Sequence, residues 1–520
     1  DEEYNGECKV ADEYGYCFYP TSAYWKPVTK VTVFDVSDKT APKLLRETYL
    51  EANYISSRMI NDTMHFVGYS YVYEPYYYNG CVDYSGGGDV VPARTGGETA
   101  QKAAMTEGEA SPYYYDGKCM PQDEYVQKYQ EKLGDVNYND LLPKYYDIVY
   151  GDNSEEKSKD IICSCDNFYK PSVINGKDIV SVISFNLKTG DFNSTAIVGQ
   201  WGTLYASLDS LYFASYVFDY WVYAQDGEKD KYEESSTIHK FDITSNPDKA
   251  EYAASGKVSG QILNQFSMSE YDGFFRVATT ENQFWFNSGE TESKNNVFVL
   301  KENGSSLDVV GSITGIAPTE RIYSARFIKR KGYLVTFRQV DPLYTIDLAD
   351  AYNPKIVGEL KVPGFSTYLH PMGDNHLLAI GRDATNEGQV KGLKLSVFDI
   401  GDFKDPKEQH NVVLGKDWGT NSEAAYNHKA FNYFASKDIL MIPLSYYNWN
   451  EDWTYADNFN GLIVFKVTIE NGFEEIGKID HKDFYSESPE KNWCYYNVGV
   501  RRSIIMDDYI YSLSDWGLKA

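Results

Sequence analysis

At 520 residues, with 42% hydrophobic and 24% charged residues and 47 tyrosines, the chain has the composition of a folded protein and not of a disordered one. Its net charge of −27 at pH 7 repels nucleic-acid phosphates and anionic lipid, which sets nucleic-acid binding aside. No run of about twenty apolar residues occurs, so no membrane-spanning helix is expected.

Residues 1–30 read as an N-terminal segment containing Cys8 and Cys17, spaced for a local disulfide. From Val31 a pattern begins that returns along the chain, VTVFDVSDKTAPK in its first copy. Later copies are Ile179 to Leu187, Thr237 to Ile243 with Asn246-Pro247, Val297 to Leu300, Leu343 to Leu348 with Asn353-Pro354, Leu395 to Ile400 with Asp405-Pro406, and Leu462 to Val467. Each is an alternating β-branched and aromatic run that stops at an Asp, Asn or Pro turn, the signature of a short strand closed by a tight turn. From the second copy on they recur about every 45 to 70 residues, the length of a four-stranded propeller blade with its loops. Between copies come further strand pairs such as Tyr323 to Ile328 and Tyr333 to Phe337, and no amphipathic helices of the kind a parallel α/β fold needs. The expected fold is therefore all-β: a β-propeller over residues 31–520 with about seven blades, eight being the alternative.

The period fails once, between the first two copies, where residues 70–170 form a Tyr-rich insertion. It holds Tyr76-Tyr77-Tyr78, Gly-rich stretches and a predicted helix from Gln122 to Leu133 with Tyr125, Val126, Tyr129 and Leu133 on one face. Leu141 and Leu142 are expected to open a second short helical turn. Cys81 and Cys119 within the insertion form the second expected disulfide. Cys163-Ser-Cys165 lacks the spacing of a zinc site. Asp135, Asn137 and Asn139 space oxygen donors as the start of a calcium loop does, but the central Gly is missing and Tyr146 stands where the bidentate Glu belongs. No motif calls for a cofactor, and calcium is the one ion this segment would suit.

Three triplets, at Asn61, Asn193 and Asn303, are glycosylation sequons. With the cysteines they predict an extracellular or cell-surface protein. Aligning the strand before each polar turn places Arg58, Arg326, His370, His428 and Arg501 at similar positions, so a ring of basic groups along the propeller axis is expected. Such a ring suits a carboxylate, a phosphate or a sulfated sugar. The structural alternative is that each pairs with a neighbouring carboxylate such as Glu320, Asp341 or Glu423.

The stretches Glu320 to Phe327, Tyr333 to Leu343, Pro363 to Pro371, Gly392 to Asp399 and His428 to Phe431 resemble the secreted C-terminal β-propeller family of archaea and bacteria. The resemblance runs from about Val28 to Ala520 outside the insertion. It implies a secreted or surface-attached propeller distantly related to WD40 repeats, and it supplies no catalytic residues. A Gly-x-Ser-x-Gly elbow and a His-Glu-x-x-His helix are both absent. The expected function is a non-catalytic surface protein that self-associates, or binds another surface protein, through the Tyr-rich insertion as part of a sheath, layer or filament. The alternatives are a hydrolase or lyase acting on extracellular polymer, and a propeller that binds an anion or glycan in its axial channel.

Overall fold

The computed structural model describes residues 17–19, 26–73, 76–78, 82–83, 120–134, 136–151, 155–169, 171, 176–219, 233–281, 293–337, 341–385, 387–415, 419–449, 455–485 and 499–520. The chain divides into two compact units, Asp1–Gln200 and Trp201–Ala520.

In the first unit, Thr29–Asp35 pairs with Lys43–Leu50, and two strands of the insertion, Lys144–Tyr150 and Glu155–Ile161, complete a four-stranded antiparallel sheet. The expectation that residues 70–170 lie outside the repeated sheets therefore changes at their C-terminal end. Lys144–Tyr150 is held by Asp147, which accepts Arg46 Nε–H at 2.8 Å and the Thr48 hydroxyl at 2.7 Å. A second sheet runs Asn53–Ile60, Thr63–Ser70, Asp178–Asn186, Phe192–Gly199 and Phe168–Tyr169, so the 107 residues between its second and third strands are an excursion from one hairpin-like ladder. The excursion carries the helix Gln122–Gly134, at the residues its periodicity predicts, and a second turn at Tyr138–Leu141. Val126, on the expected apolar face, is 44% exposed.

The second unit is a succession of antiparallel sheets laid down in chain order. Gly202–Ala206, Ser210–Asp219, Glu233–Asp242 and Glu251–Ser259 form one meander. Met268–Tyr271, Phe274–Glu281, Lys294–Asn303 and Ser306–Ile316 form the next, joined to the first by a single parallel pairing of Ser255 with Ser306. Three independent four-stranded sheets follow: Arg321–Ile328 to Lys355–Val362, Phe365–Met372 to Lys407–Leu414, and Asn432–Phe434 to Gly472–Asp480. The last sheet, Val500–Met506, Tyr509–Ser514 and Gly517–Lys519, has three strands. Neighbouring first strands meet edge to edge: the Ser324 hydroxyl donates to the Ser366 carbonyl at 2.8 Å.

Burial explains why the repeated runs are so apolar. In the sheet that holds them, His376–Ala384 and Val390–Asp399 are buried on both faces, whereas the outer strand Lys407–Leu414 alternates exposed and half-buried positions. A strand sandwiched between stacked sheets must be apolar on both sides, and an edge strand only on one. Leu378, Ile380, Leu395 and Val397 pack with Leu440, Ile442, Ile463 and Phe465 of the following sheet in one buried cluster.

The repeated acidic turn also has a cause. Asp35, Asp242, Asp347 and Asp399 each accept the backbone N–H two residues on, from Ser37, Thr244, Ala349 and Gly401 at 2.7 to 2.9 Å. Asp38, Asn246, Asp350 and Asp402 repeat the device on Thr40, Asp248, Tyr352 and Lys404. These paired Asx turns reverse the chain without a residue at positive φ. A register shift precedes the bulky residue of the motif at Phe34, Phe241, Leu300, Ile346, Phe398 and Phe465. The copy Ile179 to Leu187 pairs without such a shift, and in the other six the bulge adds local twist to the stacked sheets.

Cys163 is buried, its Sγ 3.3 Å from the Asn167 carbonyl, and Cys165 is exposed. The expected Cys8 to Cys17 and Cys81 to Cys119 bridges lie outside the described residues, apart from the backbone of Cys17, which pairs with Tyr78.

Candidate functional site

The first strands of three sheets carry a bulge near their start, with Ile55, Tyr323 and Thr367 as the extra residues, and Arg58, Arg326 and His370 each stand three positions further on. In Val500–Met506 the extra residue is Arg501 itself, and the matching position is Ile504. The expected alignment of Arg501 with Arg326 is thus corrected: a bulge displaces the register, and nothing in the residue pattern marks it. His428 is not in a strand either. It opens a 3-10 turn, His428–Ala430, whose first free N–H groups are capped by Asn427.

Three of the five basic residues come together in the second unit. The Arg326 guanidinium lies over the Phe266 ring at 4.8 Å, and Phe266 meets the His428 ring edge to face at 4.9 Å and the Tyr368 ring at 5.1 Å. Gln265 Nε2 stands 2.9 Å from His428 Nε2. The Tyr368 hydroxyl stands 3.1 Å from His370 Nδ1, and His370 rests against Phe431 and Tyr433. Phe266 arrives on the 3-10 turn Gln265–Ser267, which the Asn264 side chain caps by accepting the Phe266 N–H. The cluster therefore draws on four consecutive sheets or their connections.

Arg501 and Arg502 behave as the structural alternative foresees. Both donate to Glu423, at 3.1 Å each, and Arg501 also pairs with Asp515, whose hydrogen bond holds the guanidinium above its usual range. Arg58, in the first unit, donates to the Ser56 hydroxyl and the Ser57 carbonyl. Glu320 accepts the Thr336 hydroxyl. Arg326 differs from these: it is half-buried, and among the described residues its polar and ring contacts are Tyr368 and Phe266, with no carboxylate.

Burial sets the electrostatics. It pulls the Arg326 guanidinium below its ordinary value, with the Tyr368 hydroxyl opposing. His370 is pushed down to about 4, first by burial and then by the Arg326 charge, so its imidazole is neutral at pH 7. Burial raises the Tyr368 hydroxyl, and Arg326 counters it. The result at neutral pH is one fixed cation beside neutral imidazole and phenol groups, framed by aromatic faces. Such a set can receive an anionic group and hydrogen-bond its neighbours; it holds no nucleophile beside a base. The Ser184 to His65 pair, 2.9 Å apart, has that form, but both side chains are fully buried in strands of the first unit.

The other expected sites stand apart. Asn137 accepts the Asn139 N–H at 3.0 Å as the cap of a helical turn, while Asp135 lies outside the described residues. Among the described residues no three His, Cys, Asp or Glu side chains group as metal ligands. Asn61 and Asn303 are exposed at hairpin turns, and Asn193 is half-buried in Phe192–Gly199 next to the buried Ser194 and Thr195. No helix is long and apolar enough to cross a membrane among the described residues.

Among known proteins, an uncharacterized protein of Methanocaldococcus jannaschii is 38% identical over 260 residues, 50% of this chain and 35% of the relative. An uncharacterized protein of Archaeoglobus fulgidus is 42% identical over 262 residues, 50% of this chain and 37% of the relative. Each match therefore spans little more than a third of the relative's length. The beta propeller domain family matches residues 3–520, in agreement with the repeated antiparallel sheets, and the chain belongs to that family.

Proposed function

We propose that the chain is a non-catalytic ligand-binding propeller whose cluster at Arg326, His370 and His428 receives the carboxylate of an acidic glycan. The observation that supports this reading is Arg326: a half-buried guanidinium with no carboxylate beside it, in a chain of net charge −27. A desolvated cation without a counterion is costly unless something supplies one. The partly buried Phe266 ring, packed against the buried Tyr368, offers an apolar face to a sugar, and His370, neutral at pH 7, is free of the charge that would crowd Arg326.

Titration calorimetry with an oligogalacturonate, at about 50 and about 300 mM salt, tests it. Binding should weaken with salt, and Arg326→Gln should lower affinity at least about tenfold, the scale of one charge-assisted hydrogen bond. Equal affinity in the variant and the wild type would remove the proposal. Placement outside the cell or on its surface belongs to the same reading and rests on the sequons. Self-association through the Tyr-rich insertion rests on composition alone, since residues 84–119 lie outside the described residues. Ordered polymers from the full chain, lost on deleting residues 84–119, would favour it.

A further inference from the structure

Between the second and third sheets of the second unit lies a cavity of about 360 Å3, within the range of small-molecule sites. One wall is the hairpin turn Tyr271 to Phe274, where Asp272 and Gly273 both take positive φ, 54° and 75°, the geometry of an Asp-Gly type I′ turn. Arg330, paired with Asp272, and the Asx turn from Leu348 to Tyr352 also line it. The floor includes Arg276, only 3% exposed.

The charges around this cavity are unequally matched. Asp272 is taken by Arg330, whose Nε–H and Nη2–H donate to it at 3.1 and 2.7 Å. Asp350 accepts the Tyr352 N–H at 3.0 Å and the Asn353 side-chain amide at 2.9 Å. Arg276 has no carboxylate partner. Its Nη1 donates to the Lys329 carbonyl at 2.9 Å and its Nη2 to the Ser269 hydroxyl at 2.7 Å, while its buried Nε–H has no acceptor. The guanidinium lies near the rings of Tyr271 and Phe327, at 5.5 and 5.8 Å. Burial lowers it to about 10, which still leaves it charged at pH 7. Among the described residues Arg276 is therefore a buried cation with no ion pair, on which the Asp272 and Glu270 carboxylates act only at longer range, and it borders a cavity whose other charged groups, Arg330, Asp272 and Asp350, are already engaged.

We infer that this cavity is a second binding site, distinct from the Arg326 cluster, for an acidic monosaccharide whose carboxylate is drawn to Arg276. The rings of Tyr271, Phe274 and Tyr352 take the pyranose face, and the carboxylate oxygens of Asp272 and Asp350 accept its hydroxyls. A neutral sugar lacks the counter-charge, and a flat aromatic acid lacks the hydroxyl donors.

Saturation-transfer NMR and calorimetry on the full chain, with D-glucuronate, D-glucose and benzoate as probes, test the assignment. Glucuronate should bind with a Kd of about 1 mM or tighter, at least about tenfold better than glucose or benzoate. Tyr352→Ala, at a side chain 53% exposed, should weaken glucuronate at this cavity at least about fivefold without unfolding the protein, and Arg276→Gln should abolish the binding at this cavity. Glucuronate held at the Arg326 cluster would be a separate component, so Arg326→Gln should remove at most that component and leave the Tyr352- and Arg276-dependent affinity unchanged, and loss of one site is told from loss of the other. Equal binding of glucose, absence of glucuronate binding up to about 20 mM, or an unchanged affinity in Tyr352→Ala would each overturn the inference.

Discussion

The strand Lys144–Tyr150 comes from the insertion, yet its Asp147 sits 5% exposed at the centre of a network in the first unit. Arg46 donates to it at 2.8 Å, spans onward to the Gly190 carbonyl at 2.7 Å, and stacks over Phe185 at 4.4 Å, while Thr48 adds a second hydrogen bond. Replacing Asp147 by Ala leaves a guanidinium whose side chain is 13% exposed without its counter-charge. Removing one partner of a buried ion pair costs about 3 to 5 kcal/mol. Loss of the Thr48 bond is part of that figure and not an addition to it. Urea unfolding followed by tyrosine and tryptophan fluorescence should show the transition of the first unit moved by that amount and the second unit unmoved. Asp147→Asn, which keeps an acceptor for Thr48, should fall between. A loss below about 1 kcal/mol in Asp147→Ala would refute the integration of the insertion into the sheet. The same geometry says that deleting residues 71–170 removes the two long strands Lys144–Tyr150 and Glu155–Ile161 together with Phe168–Tyr169, whereas deleting 84–119 removes none of these.

Histidine titration makes a second prediction. His239 and His370 are both depressed to about 4 from 6.5 by burial, so the folded state binds fewer protons than the unfolded chain between those values. Their stabilisation is present above pH 6.5 and lost as pH falls toward 4, up to about 3 kcal/mol each; urea midpoints measured at pH 7 and pH 4.5 should show the drop, and His239→Gln should flatten it. At Gly381, a Cβ would fall on the Phe365 carbonyl of the neighbouring first strand, so Gly381→Ala should cost about 3 kcal/mol or prevent folding, read by circular dichroism and thermal melts. Arg501 is exposed and shares Glu423 with Arg502, so Arg501→Ala should change stability by no more than about 1 kcal/mol and leave oligogalacturonate binding intact.

Much of the fold is legible because it repeats. A strand buried on both faces demands an uninterrupted apolar run, and an Asx turn demands Asp or Asn at its head, so Ile179 to Asn186 and Leu395 to Asp402 announce themselves. The helix Gln122–Gly134 is equally visible through its periodicity. What stays hidden is pairing. Lys144–Tyr150 and Glu155–Ile161 fall within the insertion and not in a repeated copy: the first is an interior strand fixed by its partner Lys43–Leu50, and the second is an exposed edge strand of charged residues that only its neighbour defines. The Arg501 bulge shifts a basic residue by one register with no local residue signal. Phe266 and Gln265 were missed as site residues since their relation to Arg326 and His428 is made across sheets; the only clue is Asn264, a turn-capping residue just ahead of them. Arg276 lies inside an apolar strand, and an arginine there is a signal that could have been read.

The most direct test of the anion-binding claim is a crystal structure of the chain with oligogalacturonate bound. It should place a carboxylate oxygen about 2.7 to 3.0 Å from the Arg326 guanidinium, with a sugar ring against Phe266 or Tyr368. A ligand seated elsewhere on the second unit, with Arg326 still making only its Tyr368 and Phe266 contacts, would contradict it.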